Sequence, residues 1–86
     1  MEISQTPVTI LLFALAKEKA GQSSVSVSVS LPTSVRELKK KLASEHPTLA
    51  PLIAISRFAM DRSFANDNQT IHGKEEIAMI PPVSGG

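Results

Sequence analysis

The sequence predicts an α+β domain, a mixed sheet with one main helix packed on one face and a tail protruding at the C-terminus. Two near-continuous apolar runs bracket the chain, Val8-Thr9-Ile10-Leu11-Leu12-Phe13-Ala14 and Glu76-Ile77-Ala78-Met79-Ile80. Between them, Ser24-Val25-Ser26-Val27-Ser28-Val29-Ser30-Leu31 alternates with a strict period of two, which gives a strand with one buried and one solvated face. Residues 34–46 then carry apolar side chains at helical spacing.

Taken in order, the opening run is short and β-branched, which favours a central strand buried on both faces. Residues 15–20 suffice for about one helical turn, with Gly21 as its stop. Pro32 closes the alternating strand. Ser34-Val35-Arg36-Glu37 fits a capping box, a hydroxyl at the N-cap and a carboxylate one turn on. Val35, Leu38, Leu42 and Ala43 then share a helical face. Pro47 ends the helix, because the residue before a proline is pushed out of the α region. His46 therefore falls in the last turn, near free carbonyls. Residues 49–53 read as a turn or short connector around Pro51, and residues 55–60 as a third strand. Residues 61–68 are rich in Asp, Asn and Ser and predict a loop or hairpin connection. Thr70-Ile71 forms a brief edge strand and His72-Gly73-Lys74 a turn. Pro81-Pro82 ends the last strand, since neither proline has an N–H to give the ladder.

A hairpin followed by a helical crossover places the helix on one face of the sheet. The first and last strands, being the most apolar, are expected side by side at the centre. If they run parallel, the C-terminus leaves from the middle of the sheet. That is the β-grasp arrangement, with a domain over residues 1–80 and a flexible Gly-Gly tail over residues 81–86.

Composition removes several classes of function. Eighty-six residues make one domain with a single small core. A net charge of +1 argues against nucleic acid as the main partner, which needs concentrated basic surface. No apolar run approaches the roughly 20 residues of a membrane span, and residues 1–7 lack the marks of a secretory signal. The absence of cysteine excludes disulfides, thiolate metal sites and cysteine nucleophiles, and suits a reducing, cytoplasmic setting. His46 and His72 lack ligand spacing, so no metal is expected. No serine nucleophile arrangement or phosphate-cradling loop is present, so no bound cofactor is expected and the chain is not an enzyme by itself. Arg36 with Lys39-Lys40-Lys41 reads as a solvated helix face, with docking to an acidic partner as the alternative. Glu75-Glu76 reads as turn solvation. Phe13, Phe58 and Phe64 read as core, with room for one of them on an exposed sheet face used as an interface.

The chemical suspect is the ending, Pro81-Pro82-Val83-Ser84-Gly85-Gly86. At average usage two glycines end a chain about once in 200. The prolines pre-fix φ, which reduces the disorder lost when the segment enters a channel. Extended, the six residues reach about 20 Å, and glycines thread narrow clefts. A carboxylate is a poor electrophile, so acyl transfer from Gly86 requires activation by a partner. A terminus that merely holds glycines is the plain alternative.

The chain resembles the small, sulfur-carrying subunit of molybdopterin synthase over nearly its whole length. The resemblance rests on Ile10-Leu11-Leu12-Phe13-Ala14 with Lys17-Glu18 and Gly21, the Ser34-Val35 helix start, Ala59-Met60-Asp61, Glu76-Ile77-Ala78, and above all Pro81-Pro82-Val83-Ser84-Gly85-Gly86. It implies a ubiquitin-like β-grasp fold whose Gly86 is the working group. In that family a ubiquitin-activating-enzyme-like adenylyltransferase adenylates the C-terminal carboxylate with ATP. Sulfur from a persulfide then replaces the adenylate, giving a thiocarboxylate. The tail, residues 81–86, inserts into the large subunit and delivers sulfur to cyclic pyranopterin monophosphate. Two small subunits sit at opposite ends of a large-subunit dimer, a heterotetramer with its catalytic residues expected in the large subunit. Met79 stands where aromatics are common in relatives, and Phe13, Met79 and Ile80 are the candidate interface residues. A carrier for thiamine or tRNA thiolation, a ubiquitin-like modifier and a plain interaction module are the alternatives.

Overall fold

The computed structural model describes residues 5–82. Its elements are β1 (Thr6–Leu12), α1 (Ala14–Ala20), β2 (Ser24–Val29), β3 (Thr33–Ser34), α2 (Val35–Glu45), a 3-10 turn (Pro47–Leu49), α3 (Ala50–Ile53), β4 (Arg57–Met60), β5 (Ser63–Ala65), β6 (Thr70–Ile71) and β7 (Ile77–Ile80). Five strands form one sheet in the order β2-β1-β7-β4-β5, and β3 pairs with β6 in a small separate ladder. β1 is antiparallel to β2 and parallel to β7, while β4 is antiparallel to both β7 and β5. The first and last strands are thus parallel neighbours, and the last lies in the middle of the sheet, as the strand order predicted.

Local chemistry accounts for the element boundaries. Gly21 stops α1 in the left-handed region (φ 72°), its N–H donating to the Lys17 carbonyl. The helix runs for seven residues, longer than the one turn expected. At the start of α2 the Ser34 hydroxyl accepts the Glu37 N–H at 3.1 Å, the N-cap bond expected of this sequence. Pro51 does not break the chain into a turn. It sits in the first turn of α3, where a missing N–H costs nothing, so residues 47–53 are helical rather than the connector expected. The β4–β5 hairpin turns on Asp61 (φ 50°) and Arg62 (φ 72°), both left-handed as a two-residue type I′ connection requires.

The core lies between the sheet and the helices. Val8, Ile10 and Leu12 of β1, all three valines of β2, Phe58, Ile77 and Met79 meet Ala16, Val35, Leu38, Leu42, Leu49, Leu52 and Ile53. Ala43 packs at the edge of this cluster. β1 departs from expectation here. Only alternate residues are covered, with Leu11 half-buried and Thr9 exposed, because the helices all lie on one side and the second face of the sheet is open. Met79 is also corrected: it is fully buried in the core, since the two-residue alternation of β7 turns it with Ile77 toward the helices. It is not an interface residue.

Candidate functional site: the open face of the sheet and the exit of the chain

Strand register assembles the open face. Leu11 pairs with Ala78, Ala78 with Ala59 and Ala59 with Phe64, so these four side chains form one row across β1, β7, β4 and β5. In the next row Ile80 pairs with Arg57, and Phe13 follows directly on β1. The two alanines form a floor, and Leu11, Phe13, Phe64 and Ile80 rise around it. Arg62 and Glu76 complete a groove of about 330 Å³.

Two of the protein's three phenylalanines stand here in water, Phe13 at 47% and Phe64 at 54% exposure; only Phe58 is core. Sequence reasoning allowed one phenylalanine on such a face and the structure places two. Burying an aromatic ring is worth roughly 1.5–3 kcal/mol relative to leaving it exposed, and a cluster of exposed rings marks an interaction surface. The Arg57 guanidinium stacks on the Phe64 ring at 3.6 Å from its centroid, which holds the ring upright and adds one cation to an otherwise apolar wall.

The groove's lower end is tied to the strand that leads to the C-terminus. The Asp61 N–H donates to the Glu76 carbonyl at 2.8 Å, and the Glu76 N–H donates to the Asp61 carboxylate at 2.9 Å. This pair fixes the hairpin against the start of β7. Just upstream, the Glu75 carboxylate accepts the N–H groups of His72, Gly73 and Lys74 at 2.9–3.1 Å. Those bonds, the one from His72 foremost, hold its carboxyl below the ordinary value of 4.5. Glu75 therefore does more than solvate a turn: it closes the loop that aims β7.

β7 then runs between β1 and β4 and ends beside Phe13. Pro81 is buried and Pro82 exposed, and these two follow Ile80 of the groove wall. Val83, Ser84, Gly85 and Gly86 lie outside the described residues. Of the expected interface residues, Phe13 and Ile80 line the groove and Met79 does not. Leu11, Ala59 and Ala78 were not named, and Phe64 was named only as one of three phenylalanines of which one could stand on an exposed face. Phe64 had a signal, a large aromatic stranded in a polar hairpin segment; the alanines had none.

The basic residues of α2 are engaged. Lys39 pairs with Asp67 at 2.7 Å, Lys40 with Glu37 at 3.5 Å and Lys41 with Glu45 at 3.8 Å. The Lys39 hydrogen bond draws the Asp67 carboxyl below its ordinary value. Among the described residues no cluster of His, Asp or Glu could hold a metal ion, and no helix is long and apolar enough to cross a membrane.

Residues 10–86 match the model of the ThiS family. The chain belongs to the ThiS family. The "Molybdopterin synthase sulfur carrier subunit" of Dictyostelium discoideum is 36% identical to this ThiS-family chain over 80 residues, covering 90% of it and 93% of that protein. The crystal structure of SAMP1 from Haloferax volcanii superposes with a TM-score of 0.80 at 26% identity, covering 94% of this chain and all of that one. A chain in the complex of subunits 1 and 2 of the molybdopterin-converting factor from Helicobacter pylori superposes with a TM-score of 0.66 at 20% identity, over 94% of this chain and all of that one. That likeness bears on the fold, which is the ubiquitin-like β-grasp expected from the strand order.

Proposed function

We propose that this ThiS-family protein is the sulfur carrier subunit of a molybdopterin synthase. The observation that carries the reading is the coincidence of two features at one edge: an apolar groove walled by exposed Phe13 and Phe64, and a central strand that releases the chain beside it toward Pro82-Val83-Ser84-Gly85-Gly86. A partner seated on the open face receives the tail at a fixed place.

In this reading an adenylyltransferase uses ATP to convert the Gly86 carboxylate to an acyl adenylate with release of pyrophosphate. A partner's persulfide displaces AMP to form an acyl disulfide, and a partner thiol then cleaves its S–S bond, leaving the thiocarboxylate on Gly86 and a disulfide on the partner. The groove docks the large subunit, whose own residues catalyse sulfur transfer to cyclic pyranopterin monophosphate, within a cytosolic heterotetramer. The chain's own part is to bind, orient and present. A glycine end suits this because a side chain at the reacting residue would narrow the channel the tail must enter.

The test is intact-mass measurement after incubation with an activating enzyme, ATP and a sulfur donor. The expected product carries one sulfur in place of one C-terminal oxygen and supports cofactor formation with a large subunit. No exchange, or full activity after deletion of Gly86, refutes the reading. The likeness to SAMP1, a small archaeal modifier protein, favours a second reading in which Gly86 forms an isopeptide with target lysines. Peptide mapping of cell extracts for Gly86–lysine linkages distinguishes it.

A further inference from the structure

β2 is an edge strand, and its sequence has a property that the sulfur-carrier reading leaves unused. From Ser24 to Ser30 it reads Ser-Val-Ser-Val-Ser-Val-Ser, the same in both directions. No charged residue occurs between Lys19 and Arg36. We propose that β2 pairs antiparallel with β2 of a second copy, joining two sheets into one continuous sheet.

The hydrogen-bond phase of the edge follows from one residue. Pro7 lies opposite Ser28 and has no N–H, so that pair cannot exchange ladder bonds. Alternation along an antiparallel pair then makes Thr9–Ser26 and Leu11–Ser24 non-bonded pairs too. The bond from the Leu12 N–H to the Ser23 carbonyl at 2.8 Å agrees with this phase. The backbone groups of Ser24, Ser26 and Ser28 therefore point away from β1, toward the open edge. With Val27 on a twofold axis, Ser26 faces the partner's Ser28 in a doubly bonded pair, and valine faces valine. The valines lie on the helix side and the serines on the open side in both copies, so pairing preserves the faces of both sheets.

The opposite edge cannot do this. β5 spans only three residues and is flanked by Arg57, Arg62 and Asp67, the short and charged design that discourages edge pairing. β2 carries no lysine, proline or bulge of that kind. Among the described residues its guard is His46, whose ring Nε2 donates to the Ser26 carbonyl at 3.3 Å. Sequence alone placed His46 beside carbonyls of its own helix; the acceptor is instead on the strand edge, the group a second strand would need. His46 thus competes with dimerisation. Added strands extend the sheet beyond β2, and the groove over β1, β7, β4 and β5 stays open.

Sedimentation of the full chain from about 10 µM to 1 mM tests this, since such a dimer is weak and must be driven by concentration. The wild type is expected to shift from monomer toward dimer across that range. His46→Ala is expected to shift the midpoint several-fold lower. The double variants Ser26→Lys/Ser28→Lys and Ser26→Glu/Ser28→Glu are each expected to stay monomeric, and their equimolar mixture to recover the dimer. That recovery excludes misfolding as the cause of the loss. A wild type and His46→Ala that both remain monomeric at 1 mM overturn the proposal, and leave the edge for another protein's strand. Dimers that persist equally in the lysine variant overturn it as well.

Discussion

Met79 separates a core reading of β7 from an interface reading, and the structure gives the size of the effect. Its side chain is fully buried against the helices, so Met79→Ala removes the Cγ, the sulfur and the terminal methyl from a packed site. Substitutions of this kind cost about 2–5 kcal/mol, the upper part applying where the surroundings cannot collapse. A domain of this length has a total stability of roughly 4–13 kcal/mol, so the loss takes a large share of it. In urea, with a slope of about 1 kcal/mol per molar for a small protein, the midpoint falls by about 2–5 M. On heating, roughly 4–8 °C per kcal/mol puts the melting temperature at least about 8 °C lower. Chemical unfolding followed by circular dichroism measures this directly. The reasoning is refuted if Met79→Ala unfolds within about 0.5 kcal/mol of wild type while binding to a large subunit weakens, because that pattern belongs to a surface contact.

The remaining predictions probe the groove and the loop that aims β7. Phe13→Ala and Phe64→Ala are each expected to change stability by less than about 1 kcal/mol, their rings being half-exposed, but to weaken large-subunit binding about 10–100-fold by calorimetry, as buried aromatic anchors do; unchanged affinity in both removes the groove from the docking surface. Because the Glu75 carboxyl is held below its ordinary value of 4.5, its contribution to stability is complete above that pH and is lost as pH falls through the lower folded value. Glu75→Gln is therefore expected to flatten the acid limb of a pH–stability curve and leave its slope above pH 7 alone; an unaltered acid limb counts against the three-bond loop. Gly73 has a φ of +104°, and a Cβ there would lie 2.5 Å from Leu31 Cδ1. Gly73→Ala is expected to cost about 1–3 kcal/mol, and an unchanged urea midpoint would contradict it.

Much of the fold was legible because it is written in short-range patterns. The Val-Ser alternation of β2, the Ser34 cap and the left-handed stop at Gly21 each depend on one residue or one period, and each appears where expected. That β1 and β7 would be neighbours also followed, since the two most apolar runs had to meet; their parallel direction was only a condition of the β-grasp reading. What failed was assignment of faces. An unbroken run such as Ile10-Leu11-Leu12-Phe13 reads as buried on both sides, whereas only Ile10 and Leu12 meet helices. Met79 was named for the interface on the resemblance alone, and the alternation of β7 turns it into the core. The two-residue strand Thr70-Ile71 was expected, but β3, β5 and the helix around Pro51 were missed, because two- to four-residue elements are set by tertiary context, not by their own propensity. The groove depends on a row of residues that comes together across four strands, with its two alanines on β7 and β4, and register of that kind leaves no mark on a single segment.

The position of β7 has a mechanical consequence. The strand that leads to the C-terminus is hydrogen-bonded along both edges, parallel to β1 on one side and antiparallel to β4 on the other, and Met79 at its middle is locked in the core. A pull on the chain end along β7 loads both ladders in shear, so many bonds must yield together. A terminal strand at a sheet edge would instead peel one bond at a time. A partner can therefore draw the end into a channel, or release it, without unravelling the domain that presents it.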